Sequence, residues 1–147
     1  MRPLVLAALL IAMILQPAAA DGLSSVRWEY RPLLIFTPAN DDARLSRQTT
    51  ILADESAGLL DRRIAVYIVE RSRVYTTFGA PAPRAEAKLL RRRFRVPDDA
   101  FRVVLIGLDG GSKLSSEEPL TGERLFSVID AMPMRQRELR DRAGREG

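Results

Sequence analysis

Three short apolar runs constrain the fold of this chain more than any other sequence feature. They fall within Leu33–Phe36, Ile64–Val69 and Arg102–Leu108, and the second is rich in β-branched residues. Continuous apolar runs of this length, closed by turn residues such as Thr37 and Pro38, are typical of strands buried on both faces. We therefore predict three buried strands.

Segments with helical periodicity separate these strands. Between Asp41 and Leu60 the apolar side chains recur on one side of a helix, and Asn40 or Asp41 is available as the N-cap. Ala85–Phe94 has a second amphipathic pattern and begins shortly after a proline. The chain therefore alternates strand and helix through its first two thirds.

After the third strand the pattern changes to a hairpin and a final helix. Asp109-Gly110-Gly111 favours a tight turn, because glycine adopts positive φ angles without strain, and Ser112–Ser115 then returns as a fourth strand. Thr121 is the predicted N-cap of the final helix. Pro133 is predicted to end that helix, because the residue before a proline is pushed away from helical angles. The residues that follow, 135–147, are predicted to be a polar helical extension that frays.

This order of elements predicts an α/β protein with a single thioredoxin-like domain. The order is β-α-β-α-β-β-α, with a central mixed sheet flanked by helices. A small flavodoxin-like sheet is the competing fold, but it needs a crossover helix where the Asp109–Gly111 turn lies. We place the domain at residues 21–138 and a polar C-terminal tail at residues 139–147.

The first residues have the layout of a secretory signal peptide. Arg2 precedes the apolar stretch Leu4–Leu15, and Ala18 and Ala20 form a small-residue cleavage pattern. We predict that residues 1–20 are removed and that the protein is exported, to the periplasm or the extracellular space. The apolar stretch is shorter than the roughly 20 residues that span a bilayer, so a retained membrane anchor is the less favoured alternative.

Composition excludes several classes of enzyme. The chain has no cysteine and no histidine. Thiol-disulfide oxidoreductase or peroxidase chemistry is therefore excluded, as are serine-histidine catalysis and the usual zinc sites. The net charge is +4, with acidic residues interspersed among the basic ones, which does not favour a nucleic-acid partner. We expect no cofactor and favour a protein that is not an enzyme.

Four strings of residues resemble one bacterial domain family of unknown function. They are Arg31–Phe36, the Asp41-Asp42 pair with Leu45 and Gln48, Gly107–Gly111 with Lys113, and Ile129–Arg135. The last contains Asp-Ala-Met-Pro-Met-Arg and is the most specific. The family is related to the Drs, equarin and SRPUL extracellular modules. The resemblance implies a thioredoxin-like fold, an exported or extracellular setting and no established activity. This chain departs from the family at Leu108, where lysine is common.

Asp41 and Asp42 are the first candidate site. They lie between the first strand and the first helix, where thioredoxin-like enzymes carry the reactive cysteine. One interpretation is a vestigial site in which the two carboxylates serve metal binding or acid-base chemistry. The favoured interpretation is structural: one aspartate caps the helix and the other interacts with its dipole.

The second candidate site lies in the last third of the chain. Met132, Met134 and Arg135 could form a partner-binding lip, because methionine surfaces adapt to their ligands and arginine binds carboxylates. In the alternative, Met132 fills the core and Arg135 pairs with a carboxylate such as Asp130. Asp109 and Lys113 belong to the same set as possible partner-binding residues, although a hairpin turn explains the Asp109-Gly110-Gly111 string better than an anion site does.

Two further polar groups have simpler interpretations. Gln48 faces the core side of its helix and is predicted to be a buried amide with its hydrogen bonds satisfied. Arg91-Arg92-Arg93 is predicted to be a solvated helix face, with an anionic-polymer site as the less favoured alternative.

Three functional hypotheses follow from the sequence. The leading one is a non-catalytic exported thioredoxin-like module that binds an unknown protein or an envelope polymer, or has a structural role. The second is a cysteine-free enzyme that uses Asp41, Asp42 and Lys113. The third is arginine-mediated binding to an anionic envelope polymer.

Overall fold

A computed structural model describes residues 22–147 as one mixed α/β domain. A five-stranded mixed sheet is flanked by helices, and the arrangement is compatible with a thioredoxin-like fold. The predicted fold class is therefore confirmed. The predicted signal peptide, residues 1–20, lies outside the described residues.

The elements follow one another with short connections. After a 3-10 turn at Ser24–Val26, the strands are β1 (Arg31–Thr37), β2 (Ile64–Glu70), β3 (Arg73–Phe78), β4 (Arg102–Ile106) and β5 (Ser112–Ser116). The helices are α1 (Ala43–Asp54), α2 (Ser56–Asp61), α3 (Ala87–Phe94), α4 (Gly122–Asp130) and α5 (Pro133–Glu146). Within residues 22–147 no helix is both long enough and apolar enough to cross a membrane.

The sheet has the strand order β3-β2-β1-β4-β5. β1 pairs with β2 in parallel, in a register that runs from Arg31 opposite Ile64 to Thr37 opposite Glu70. The other three pairings, β1 with β4, β2 with β3 and β4 with β5, are antiparallel. β1 is therefore the central strand, and its two ends fix the positions of the elements that surround it.

Successive residues of the central strands point to opposite faces of the sheet, which explains why their sequences are apolar without alternation. Leu33 and Ile35 pack with α1, α2 and α4 on one face. Leu34 and Phe36 pack with α3 and the Ser24–Val26 turn on the other. All four of these β1 side chains are fully buried.

Two elements in the first half differ from the predictions. The helix expected from Asp41 to Leu60 is divided at Glu55 into α1 and α2, and Leu60 is exposed rather than buried. β3 was not predicted, although its sequence, Arg-Val-Tyr-Thr-Thr-Phe, has strong strand propensity. β3 is an edge strand that forms a hairpin with β2, and only its tertiary position extends the sheet to five strands.

The prediction that Pro133 stops the last helix is wrong in one respect. α4 ends at Asp130, but Pro133 is the first residue of α5, a position where proline is tolerated because the first amides of a helix have no partner inside it. Met132 has the extended backbone expected of a residue before proline, with ψ of 138°, and separates the two helices. Residues 139–146 continue α5 without interruption.

Gln48 confirms its prediction as a satisfied buried amide. Its Nε2 donates to the Leu120 carbonyl at 3.0 Å, and its Oε1 accepts from the Leu120 amide at 2.7 Å. Gln48 is fully buried. The Gln48 side chain therefore satisfies both the amide and the carbonyl of Leu120, in the segment that leads into α4.

We expect the substitution Gln48→Met to lower the free energy of unfolding by about 2 to 4 kcal/mol, because each buried backbone group left without a partner costs about 1 to 3 kcal/mol. Urea denaturation would measure the loss. Arg47→Met, on the exposed side of the same helix, is the matched control and should change stability little. Equal losses in the two variants would show that the Leu120 hydrogen bonds contribute nothing.

Candidate functional site

The structure brings four of the predicted partner-binding residues into one open groove of about 420 Å³. We call it the α4–β5 groove. The β4–β5 turn contributes Asp109 and Lys113, and the junction between α4 and α5 contributes Met132 and Met134. These pairs are about twenty residues apart in the chain, and the fold makes them neighbours.

The β4–β5 turn is held by its own polar groups. The Gly107 amide donates to the Gly111 carbonyl at 2.9 Å, and Gly110 has φ of 84°, which only glycine adopts without strain. Asp109 accepts from the Gly111 amide at 2.9 Å and from Lys113 Nζ at 2.9 Å. The predicted hairpin is confirmed, and the Gly111 amide is already bound to Asp109 rather than open to an external anion.

The other wall of the groove comes from the helix junction and is apolar. Val128 and Met132 are half-buried and pack against the core beneath α4. Met134 is half-buried in the first turn of α5, and Ala131 is exposed. Because Met132 has an extended backbone, the chain changes direction there and both methionines face the same groove.

Leu108 forms part of the groove at the position where lysine was expected from the family resemblance. It is buried, and its carbonyl accepts from the Trp28 amide at 2.8 Å. Leu108 therefore contributes an apolar side chain to the groove lining, and Lys113 supplies the only lysine ammonium among the described groove residues.

Arg31 is a groove residue that sequence reasoning missed. It is the first residue of β1 and has 0% exposed surface, yet it lines the groove from its base. Its Nη1 donates to the Arg62 carbonyl at 2.8 Å, and its Nη2 pairs with Glu138 at 3.0 Å. The sequence does contain one indication of this role, a charged residue at the start of an otherwise apolar strand, since arginine is rarely buried without a partner.

Arg31 belongs to a larger arginine–carboxylate cluster that joins α5 to the rest of the domain. Each of its three carboxylates is shared by at least two arginines, so no pair is isolated. The members are Arg31, Arg62, Arg63, Arg135 and Arg142 with Asp61, Asp130 and Glu138.

Arg135 lies inside this cluster and not on the surface of the groove. It is 2% exposed, its Nε pairs with Asp130 at 3.2 Å, and its guanidinium also binds Asp61 and Glu138. The predicted pairing with Asp130 is confirmed. The interpretation of Arg135 as part of an exposed partner-binding lip is wrong, because α5 turns its side chain inward against the ends of α2 and α4.

The cluster lowers the pKa of all three carboxylates. Hydrogen bonds from Arg142 and then Arg135 lower the pKa of Asp61, and those from Arg62 and Arg135 lower the pKa of Asp130. Burial by itself would raise the pKa of Glu138, but hydrogen bonds from Arg31 and Arg63 outweigh burial and lower it. The carboxylates are therefore held in their charged form.

Asp42 has the capping role predicted for one of the two aspartates, whereas the N-cap of α1 was expected at Asn40 or Asp41. Asp42 is the N-cap of α1: its carboxylate accepts from the Arg44 amide at 2.8 Å and pairs with the Arg44 side chain. The Arg44 side-chain hydrogen bond lowers the pKa of Asp42. Asp41 is exposed. Within residues 22–147 no three acidic side chains are grouped so that they could hold a metal ion.

The prediction of a solvated face for Arg91-Arg92-Arg93 is wrong for the first residue. Arg91 is 4% exposed and donates to the carbonyls of Thr37 at 2.9 Å and Val69 at 3.2 Å. It therefore satisfies backbone groups at the adjacent ends of β1 and β2. Arg92 and Arg93 are exposed, as predicted.

We expect Arg135→Met to lower the free energy of unfolding by about 1.5 to 3 kcal/mol, because it removes the hydrogen bonds of a buried guanidinium, while each carboxylate keeps another arginine partner. Arg142 binds the same Asp61 at 2.7 Å but is 52% exposed. Arg142→Met should therefore cost less than about 1 kcal/mol. Chemical denaturation of the two variants measures the difference, and similar losses would contradict the assigned role of burial.

Acid should weaken the cluster. The pKa of each of these carboxylates is lower in the folded protein than in the unfolded one. Such carboxylates stabilise the fold fully above their unfolded pKa of about 4, and this stabilisation is lost as the pH falls through their pKa in the folded protein. We expect the stability of the protein to fall steeply below about pH 4. Asp130→Asn should be less stable at pH 7 and show a shallower decline. Urea midpoints measured from pH 7 to pH 3 test this, and parallel curves would contradict it.

Comparison with protein families matches residues 22–138 to a domain of unknown function, DUF4174. Comparisons with curated proteins and with solved structures found no significant match. The matched segment contains the whole sheet, the α4–β5 groove and the first turns of α5 through Glu138. The chain belongs to the DUF4174 family of domains of unknown function.

Proposed function

We propose that the chain is a non-catalytic, exported thioredoxin-like module that binds a protein or an envelope polymer through the α4–β5 groove. The observation that carries the proposal is the convergence of Asp109, Lys113, Met132 and Met134 on one groove. A groove of about 420 Å³ with mostly apolar walls and a few polar groups has the size and character of a ligand site.

The chemistry of the groove favours binding over catalysis. Its aspartate and its lysine bind each other at 2.9 Å. Hydrogen bonds from the Gly111 amide and then Lys113 lower the pKa of Asp109, which makes its carboxylate a weaker base near neutral pH. Asp42, the other candidate for acid-base chemistry, is the N-cap of α1 and is paired with Arg44.

The methionines suit a binding surface. Methionine is unbranched and adapts its shape to a partner, whereas leucine or valine at the same positions would pack more rigidly. Met132 packs partly against the core, and Met134 lies on a separate helix. The apolar wall of the groove therefore combines side chains from two helical segments.

The setting is part of the proposal. The signal-peptide layout of residues 1–20 supports export, and the resemblance of residues 129–135 to a bacterial family related to the Drs, equarin and SRPUL extracellular modules supports an extracellular role. Several of the arginines are engaged within the domain, notably Arg31, Arg91 and Arg135, which favours a groove ligand over general binding to an anionic polymer.

The methionines allow a direct test. Apart from Met1 and Met13 in the predicted signal peptide, the chain has only Met132 and Met134, so incorporation of photo-methionine places the crosslinker in the groove alone. Irradiation in the native cell envelope should capture a specific partner. Excess unlabelled wild-type protein should compete for this capture. Excess unlabelled Ala131→Trp protein should not compete, because the tryptophan fills the groove.

The double substitution of both methionines by leucine is the control for labelling elsewhere. Capture that persists in this variant would contradict binding through the groove. Binding through the groove would also be contradicted if unlabelled Ala131→Trp protein competed for capture as well as unlabelled wild-type protein does. Absence of any specific crosslink in cells that contain the natural partners would contradict the proposed function itself.

A further inference from the structure

We propose that the α4–β5 groove recognises the C-terminus of a partner polypeptide, with the last apolar side chain against the methionines and the terminal carboxylate at the Arg31 and Lys113 end. The inference rests on the proposed function and specifies its ligand. Three features of the groove support it: a buried arginine with one unsatisfied N–H group, an apolar wall, and a sheet edge next to the groove.

The arginine with the unsatisfied N–H group is Arg31. Its Nη atoms are bound to Arg62 and Glu138, but its Nε is buried and has no hydrogen-bond partner among residues 22–147. A buried donor without an acceptor is destabilising, and an entering carboxylate oxygen is such an acceptor. Arg31 is 0% exposed, so the carboxylate reaches it only when a groove side chain moves, as the flexible methionines allow.

The charge near Arg31 is also incompletely balanced. Its counterion, Glu138, is shared with Arg63 and Arg135. Lys113, which also lines the groove, is 33% exposed and is bound only to Asp109 among the ion pairs of the described chain. A single negative charge placed between Arg31 and Lys113 therefore has a favourable electrostatic position, with Asp109 as its competitor.

The apolar wall defines the rest of the ligand. Val128, Met132 and Met134 face the groove opposite Leu108, and none of them offers a strong hydrogen bond from its side chain. A carboxylate with an apolar group attached fits this division, with charge at one end and hydrocarbon at the other. A polar or highly charged ligand would leave the apolar wall exposed to water.

The sheet edge favours a polypeptide over a free fatty acid. β5 is the last strand of the sheet, so one side of it has no strand neighbour among residues 22–147, and Lys113 is its second residue. A peptide added antiparallel to β5 would run toward Ser112, and its C-terminus would arrive at the groove. A fatty acid has no backbone groups with which to use this edge.

Fluorescent hexapeptides ending in leucine, valine, methionine or phenylalanine, each as free acid and as C-terminal amide, test the proposal by anisotropy. We expect at least one free acid to bind about tenfold more tightly than its amide, the value of one charge-assisted hydrogen bond. Lys113→Gln should reduce this ratio, and Asp109→Asn should increase it by removing the competing carboxylate. Backbone N-methylation of the peptide should weaken binding.

Lys88→Gln is the matched control, because Lys88 is the only other lysine and is exposed on α3 away from the groove. Melting temperatures show that each variant is folded. Equal binding of acids and amides, or no peptide binding while photo-methionine still captures a partner, would overturn this inference and leave the proposed function standing. Decanoate binding without peptide binding would overturn it in favour of a fatty acid.

Discussion

The pairing of the buried Arg135 guanidinium with the partly exposed carboxylates of Asp61 and Asp130 is the interaction on which the rest of this structure depends. α5 is strongly polar, and the described core clusters include none of its residues. Ion pairs therefore hold it against the domain, with Arg135 as the only α5 side chain that is fully buried. Such pairs are specific in geometry because a buried guanidinium needs its acceptors in fixed directions. The position of α5, and with it one wall of the groove, follows from this constraint.

The same arginine–carboxylate cluster offsets an unfavourable negative charge at the C-terminal ends of α2 and α4. Asp61 is the last residue of α2 and Asp130 is the last residue of α4, where the negative end of the helix dipole repels a carboxylate. Arg62 and Arg135 offset that repulsion at Asp130, and Arg135 and Arg142 do so at Asp61. The cluster therefore joins the C-terminal ends of α2 and α4 to the start of β1, directly behind the groove.

Five of the six residues of the Asp-Ala-Met-Pro-Met-Arg string now have a structural role. Asp130 and Arg135 join the cluster, Pro133 starts α5, and Met132 and Met134 form the apolar wall. The sequence indicated the string as specific and the two methionines as adaptable. It could not show that Arg135 points inward, because the direction of that side chain depends on where α2 ends, more than seventy residues earlier. Arg31 was missed for the same reason, since its acceptors are Arg62 and Glu138.

Local sequence patterns are enough to predict the buried strands, the β4–β5 turn and the N-cap at Thr121, and the absence of cysteine excludes thiol chemistry. These features follow from local periodicity, from the backbone freedom of glycine and from residue types that are absent. Tertiary contacts were needed to show that β3 extends the sheet, that Pro133 begins a further helix instead of only ending the one before it, and that Lys113 and Met134 share a groove. Those outcomes depend on contacts between distant segments, and the energy of such contacts is not expressed in any local pattern.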